Sequence, residues 1–215
     1  MATVLAVPDL HEPWAHPRAL GFCQRLARRH RPDRVVFLGD EVDLAALSRF
    51  PKDPDLPSAG DELDRAVDAL RPWYRSFPRA MVCESNHTWR VFRRAFEGGL
   101  PSRAMQPIRT LLSAPRGWRW RRSWVVDGVE YRHGDGLSGR NCARLASERF
   151  RRPVVFGHVH SVAQLHRDSH GWALAAGCLI DEAQAAFAYA SHSAFRPVLG
   201  AAVVTDGVPQ WFPLD

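Results

Sequence analysis

Lysine is all but missing from this chain. Of 29 basic residues only Lys52 is not arginine, and against 23 acidic residues this leaves a net charge of +6 and a pI near 9.8. Such a balance favours an acidic partner, with nucleic acid the obvious candidate. An arginine skew suits GC-rich coding as well as phosphate recognition, however, so charge alone selects neither. Cysteine is sparse as well. Cys23, Cys83, Cys142 and Cys178 are scattered without C-x-x-C spacing, which argues against a zinc ribbon and a disulfide framework. Reduced thiols in a cytoplasmic protein are the expectation. No apolar run approaches the ~18 residues that span a bilayer, so no membrane partner is expected. The opening Met1–Val7 is apolar but short and lacks a basic leader, and reads as a first strand rather than a signal peptide. Internal repeats and low-complexity segments are also missing, which removes solenoids and disordered tracts.

What is present is an ordinary globular composition, 46% hydrophobic, over 215 residues, which suits a single domain spanning 1–215. Residues 2–7 read as a buried strand, residues 17–30 as a helix with Leu20, Cys23, Leu26 and Ala27 on its apolar face, and 34–38 as a second buried strand. This is a βαβ unit with parallel strands. A helix over about 60–77 follows, with a bend or break expected at Pro72. Residues 80–84 form a third strand, and 88–113 are mostly helical around an interruption at Gly98-Gly99-Leu100-Pro101. Thereafter strands predominate. Trp118–Val126 and Val129–His133 are joined by the hairpin turn Asp127-Gly128, a helix covers about 139–150, and Val154–Phe156 is a further strand. Two or three closing strands include a hairpin at Asp206-Gly207.

The informative pattern is where metal-competent residues fall. Asp9 and His11 follow the first strand, Asp40 and Asp43 the second, Asn86 and His87 the third; His133 follows a later strand, and His158 and His160 another. In an open α/β sheet, ligands collect beyond the carboxyl ends of strands, so these groups converge. Imidazole with carboxylate suits Mn, Fe, Zn and related ions. In Asp9-x-His11 and His158-x-His160 the two-residue spacing points both side chains the same way along an extended backbone. Each block alone is weak; the ordered set is hard to attribute to chance.

Asp9-x-His11, Gly39-Asp40-x-x-Asp43, Asn86-His87, His133-Gly134 and Gly157-His158-x-His160 resemble, in order, the signature blocks of calcineurin-like metallophosphoesterases, and they span residues 9 to 160. The resemblance implies an α/β fold of two packed mixed β-sheets flanked by helices, a four-layer sandwich. It implies two divalent metal ions, Mn foremost with Fe, Zn, Ni or Co as alternatives. By motif, Asp9, His11 and His160 would hold one ion, Asn86, His133 and His158 the other, and Asp40 would bridge them. His87 matches the family's catalytic histidine and Asp43 the carboxylate that orients it. The expected activity is hydrolysis of a phosphate mono- or diester by a hydroxide held between two ions about 3.5–4 Å apart, with His87 as general acid. A nuclease acting on DNA or RNA with the same site is the nearest alternative. A non-catalytic metal-binding scaffold is a third, but it would be expected to have lost His87 or a ligand. No oligomeric state is assigned. Ser85 and Thr88 depart from the family's glycine before and acidic residue after the Asn-His pair, which shifts the burden of orienting His87 towards Asp43.

Other residues are set aside. His16, His30, His166, His170 and His192 lie in no block and read as surface or capping histidines. Glu12, beside the site loop, either touches a water or substrate or is a solvated loop residue; the helical acids Glu62, Asp64 and Asp68 read as solvated, and Asp135 as a turn former or a neighbour of the ligands. Arg90, Arg93 and Arg94 either line a substrate cleft or form a solvated helix face. The segment Arg116–Trp124 mixes arginine with three tryptophans, as single-stranded nucleic-acid grips do, but its alternation fits an amphipathic edge strand better.

Overall fold

The computed structural model describes residues 1–184 and 196–214. His192 therefore lies outside the described residues. The chain opens with β1 (Thr3–Val7), α1 (Ala19–His30) and β2 (Arg34–Phe37), and continues with α2 (Ala59–Ser76), β3 (Ala80–Cys83), α3 (Arg90–Glu97), α4 (Ile108–Leu111) and β4 (Trp118–Arg121). Next come β5 (Ser123–Val126), β6 (Val129–Arg132), α5 (Cys142–Phe150), β7 (Val154–Phe156), β8 (Ala163–Asp168), β9 (Gly171–Ala176), β10 (Gly200–Thr205) and β11 (Val208–Pro213).

These strands form two mixed sheets, ordered β11-β10-β1-β2-β3-β4 and β5-β6-β7-β9-β8. In the first, β1 to β4 run parallel and β10 and β11 are antiparallel additions. In the second, β6, β7 and β9 run parallel between antiparallel edges. The period-2 alternation of β1 sets the layering. Leu5 and Val7 pack with Phe22, Leu26, Leu70 and Trp73 of α1 and α2, whereas Val4 and Ala6 face Tyr131, Val155 and Leu174 of the second sheet. The outer face of that sheet, with Val154 and Phe156, is covered by Cys142, Ala143 and Ala146 of α5. The order is helices, sheet, sheet, helix: the four-layer α/β sandwich that the resemblance implied.

Both hairpin turns form as expected. Asp127-Gly128 and Asp206-Gly207 have φ near 47°/83° and 52°/79°, the paired positive values of a two-residue turn whose twist matches its strands. The first α/β crossover gives β1 parallel to β2. All four cysteines are buried free thiols. No helix among the described residues is long and apolar enough to cross a membrane.

Several expectations are corrected. Pro72 sits inside α2 without ending it. Its missing N–H costs one helical bond, but Leu70, Trp73 and Tyr74 on either side are buried and hold the helix to the core. The stretch 118–126 is two strands in different sheets: β4 pairs with β3, β5 pairs with β6, and the chain changes sheet at Arg122. Its tryptophans are structural. Trp118 and Trp124 are buried, and the indole N–H groups of Trp118, Trp120 and Trp124 donate to the Phe77 carbonyl, a Glu41 carboxylate oxygen and the Val82 carbonyl. The indoles are thus engaged within the fold, while Arg119, Arg121 and Arg122 are exposed. Four strands, not two or three, close the described chain, because β8 is a largely exposed edge without apolar alternation.

Glu62 is the largest departure from expectation. It is fully buried, not solvated, while Asp64 and Asp68 are exposed. Its carboxylate accepts from the backbone N–H groups of Ala45 and Ala46 (2.7 and 2.8 Å) and from Trp14 Nε1 (3.2 Å), which ties α2 to the loop that carries Asp43. Each buried donor left unpaired costs roughly 1–3 kcal/mol. Glu62→Ala is therefore expected to lower stability by about 3 kcal/mol or more, read as a fall in denaturant midpoint at constant slope. Asp64→Ala on the same helix is expected to stay within about 0.5 kcal/mol of the parent.

Candidate metal centre

Each ligand block leaves the carboxyl end of a parallel strand. Asp9 and His11 follow β1, Asp40 and Asp43 follow β2, and Asn86 and His87 follow β3; His133 follows β6, and His158 and His160 follow β7. The loops are tightly bent. His11, Asp40 and His158 have φ of 54°, 47° and 68°, left-handed values that non-glycine residues seldom adopt and that concentrate at functional sites. Two glycines make the approach possible. A Cβ on Gly39 would lie 2.8 Å from His133 Nδ1, and one on Gly157 would lie 2.1 Å from Asp9 Oδ1.

All nine predicted site residues come together. Asp9, His11, Asp40 and His160 form one compact set of ligand atoms, and Asp40, His133 and His158 form a second, so Asp40 belongs to both. Asp40 Oδ2 lies 3.4 Å from His11 Nε2 and 3.3 Å from His133 Nε2. Asn86 Oδ1 is 2.8 Å from His133 Nε2, which is 3.1 Å from His158 Nδ1. On the other side His11 Nε2 and His160 Nε2 are 3.1 Å apart, and His160 Nε2 is 3.1 Å from Asp9 Oδ2. Asp9, His11, Asp40, Asp43 and His133 are buried.

The donor set asks for cations. The far nitrogens of two imidazoles are already engaged: His11 Nδ1 with Asp43 Oδ1 at 2.9 Å and His133 Nδ1 with the Leu38 carbonyl at 3.0 Å. Fixing the tautomer this way aims each Nε2 lone pair into the site, the arrangement that outer partners give metal-binding histidines. With His133 neutral, its Nε2 lone pair faces the acceptor oxygens of Asn86 and Asp40. Asp9 Oδ1 is buried without a hydrogen-bond partner. Electrostatics agree. Burial lowers the basicity of His133, yet Asp40, then Asp9 and Asp135, overcome it and push the group up to about 10. Burial opposes ionisation of Asp40 too, but the surrounding histidines, His133 first, hold it well below the usual carboxylate range. The residues fit divalent ions.

Around this centre lies a layer that sequence reasoning read only in part. Asp43 holds His11 and also His87, whose Nδ1 is 2.5 Å from Asp43 Oδ1 and 3.1 Å from the Asp43 carbonyl. Arg90 donates to that carbonyl (2.9 Å) and, from its other terminal nitrogen, to His87 Nε2 (3.0 Å). Ser85, at one departure from the family pattern, accepts the Asp40 N–H at 2.8 Å and donates to Thr88, at the other, at 3.0 Å. Glu12 is buried rather than solvated: it accepts from Trp73 Nε1 at 2.8 Å, and burial raises its pKa to about 7. Asp135 is exposed and 3.8 Å from His133 Nε2, within a turn closed by the Leu137 N–H on the Gly134 carbonyl. His16, His30, His166 and His170 join neither ligand set.

No family model and no curated protein matches the chain. Solved structures do. Vps29 from Entamoeba histolytica, complexed with Zn²⁺, aligns at 14% identity over 99% of this chain and 98% of that one, with a TM-score of 0.46. Yfce, a phosphoesterase from E. coli, aligns at 14% identity over 96% and 90%, with a TM-score of 0.46. The Pseudomonas putida nuclease MPE aligns at 15% identity over 98% and 86%, with a TM-score of 0.40. A further structure covers both chains in full at 10% identity with a TM-score of 0.53. The likeness is one of fold, and the architecture agrees with the motif resemblance to calcineurin-like metallophosphoesterases.

A cation at the second set has to displace the His133 proton. Mn²⁺ titration of the metal-free protein at pH 7 is expected to release protons, read as a buffer-dependent heat. Affinity is expected to rise about tenfold per pH unit towards pH 10, and the slope to vanish above it. Asp40→Ala is expected to weaken every ion bound, because Asp40 alone belongs to both sets.

Proposed function

We propose that this protein is a metal-dependent phosphoric ester hydrolase acting on phosphate mono- or diesters. The observation that carries the proposal is the convergence of Asp9, His11, Asn86, His133, His158 and His160 on the shared carboxylate of Asp40. Asp9, His11 and His160 would hold one ion, Asn86, His133 and His158 the other, with Asp40 common to both; Mn²⁺ is the first choice. When bound, two divalent ions lower the pKa of a water from ~16 towards neutrality and neutralise charge on the phosphoryl oxygens. Asn86 adds a neutral donor, leaving its ion more electrophilic than another carboxylate would.

The chain's own residues supply the rest. His87, part-buried beside Asp40, keeps its Nδ1 proton on Asp43 and turns Nε2 towards the site. In the protonated state Nε2 gives its proton to the leaving oxygen as the P–O bond breaks. Asp43 steadies the imidazolium by contact with the opposite nitrogen. Arg90, 3.0 Å from Nε2, competes for that atom until an anionic phosphate draws the guanidinium away. Ligands drawn from both sheets support a single domain, and four buried free thiols support a cytoplasmic location.

Two variants test this reading with p-nitrophenyl phosphate and its bis ester in Mn²⁺. His87→Ala is expected to keep its metal content and lose about 10²–10⁴-fold in turnover; an unchanged rate removes His87 from the chemistry. Asp43→Asn is expected to lose turnover and also to weaken metal binding, because Asp43 orients His11 as well. Full metal affinity in Asp43→Asn would separate the two roles.

A further inference from the structure

Helix α3, which starts three residues after His87, buries none of its residues. Trp89 and Phe96 are 43% and 48% exposed. Trp89 and Phe92 pack on each other, with ring centroids 4.8 Å apart. Trp89 and Phe96 form walls of an open cleft of about 500 Å³ that is completed by Arg49, Arg93, Glu97 and the ligand Asn86. A cleft with aromatic walls and a charged rim therefore borders the candidate centre at Asn86.

Charge narrows what fits there. Glu97 is shared by Arg49 and Arg94. Arg93 donates to the Asn86 carbonyl at 3.2 Å, and among the described residues it has no carboxylate within ion-pair distance. The cleft thus combines exposed ring faces with an uncompensated guanidinium and, at Arg49–Glu97, a donor and an acceptor side by side. A nucleobase has two ring faces to stack and an edge that both donates and accepts, and its sugar carries the phosphate. A purely apolar partner surface would leave Arg93 buried without an anion, which is unfavourable.

We propose that the cleft between Trp89 and Phe96 is a nucleobase subsite, so that the phosphate ester presented to Asn86 and His87 belongs to a nucleoside phosphate. This rests on the phosphoesterase reading and narrows its substrate class. The phosphate comes either from a free nucleotide or from the end of a nucleic-acid strand.

Binding is measured calorimetrically on the Mn²⁺-loaded protein in a His87→Ala background, which suppresses turnover. The ligands are adenosine 5′-monophosphate, ribose 5-phosphate and a 5′-phosphorylated single-stranded dA oligomer. Stacking of one base is worth about 1–3 kcal/mol, so the nucleotide is expected to bind about tenfold or more tightly than the sugar phosphate. Adding Trp89→Ala is expected to remove that preference and leave ribose 5-phosphate binding unchanged. Trp89→Phe is expected to retain it, and Phe96→Ala, at an exposed position, to weaken it should Trp89→Ala not fold. A strand bound tighter than the nucleotide, with steep salt dependence, identifies a strand end as the source; equal binding identifies the free nucleotide. Equal affinity for nucleotide and sugar phosphate overturns the subsite, as does an equal loss of both in the aromatic variants. Sedimentation showing a stable dimer that Trp89→Ala dissociates also overturns it, by making this face an interface between copies. Cleavage of the bis ester by the parent protein is scored separately. Its failure removes the phosphoesterase reading, whereas a lost base preference with cleavage intact removes only the subsite.

Discussion

The arrangement of this protein depends on one buried anion. The carboxylate of Asp40 lies 3.3–3.4 Å from imidazole nitrogens of His133 and His11, and its other oxygen accepts the His87 N–H at 3.2 Å. A bare carboxylate at such depth is strongly disfavoured, so everything near it answers its charge. The histidines do so in part; the Ser85 hydroxyl fixes the loop by accepting the Asp40 N–H. The glycine before it has to remain a glycine, since a side chain there would strike both His133 and Ser85. The left-handed backbone of Asp40 itself is held in place by these contacts.

A second ring of buried polar groups carries the arrangement into the core. Asp43 joins the ligand His11 to the acid candidate His87, Glu62 pins the backbone just beyond Asp43, and Glu12 joins the first loop to Trp73 of α2. Glu41, next to Asp40, accepts from Trp120; burial raises its pKa to about 7. The loops carry the ligands, but the helices and edge strands decide where the loops sit. A site whose ligands must be held within fractions of an ångström gains from partners anchored in rigid elements.

The convergence of the candidate ligands was legible because each block sits immediately after a short apolar strand, and the fold places such ends together. The hairpins were legible for a similarly local reason, since Asp-Gly pairs meet the backbone requirement of the turn by themselves. What was not legible is what depends on distant packing. Glu62 and Asp64 look alike on a helix, and only the position of residues 45–46 makes one of them a buried acceptor. Pro72 is tolerated because the neighbouring side chains are buried. The tryptophans of 118–124 resemble a nucleic-acid grip until the change of sheet at Arg122 sends Trp118 and Trp124 into two different cores. Edge strand β8 has no apolar period to detect. The cleft beside Asn86 was legible only as one of two readings of Arg90, Arg93 and Arg94, because α3 has the composition of an ordinary amphipathic helix and its failure to bury any residue depends on packing.

The layered arrangement has a mechanical side. Asp9, His11, Asp40 and Asn86 hang from the first sheet, and His133, His158 and His160 from the second. Between the sheets the interior is largely apolar, crossed by the indole N–H groups of Trp124 and Trp211 on the Val82 and Ala176 carbonyls. Ions held jointly by both sets of loops would act as a rivet at one end of the sandwich, joining segments some 150 residues apart in the chain without a covalent bond. At the opposite end the sheets are joined by single hydrogen bonds, from the Trp172 indole N–H to the Gly207 carbonyl at 3.1 Å and from the Ala2 N–H to Asp127 Oδ2, so opening would begin there and travel towards the site. The candidate metal centre would then also be the last part of the molecule to come apart.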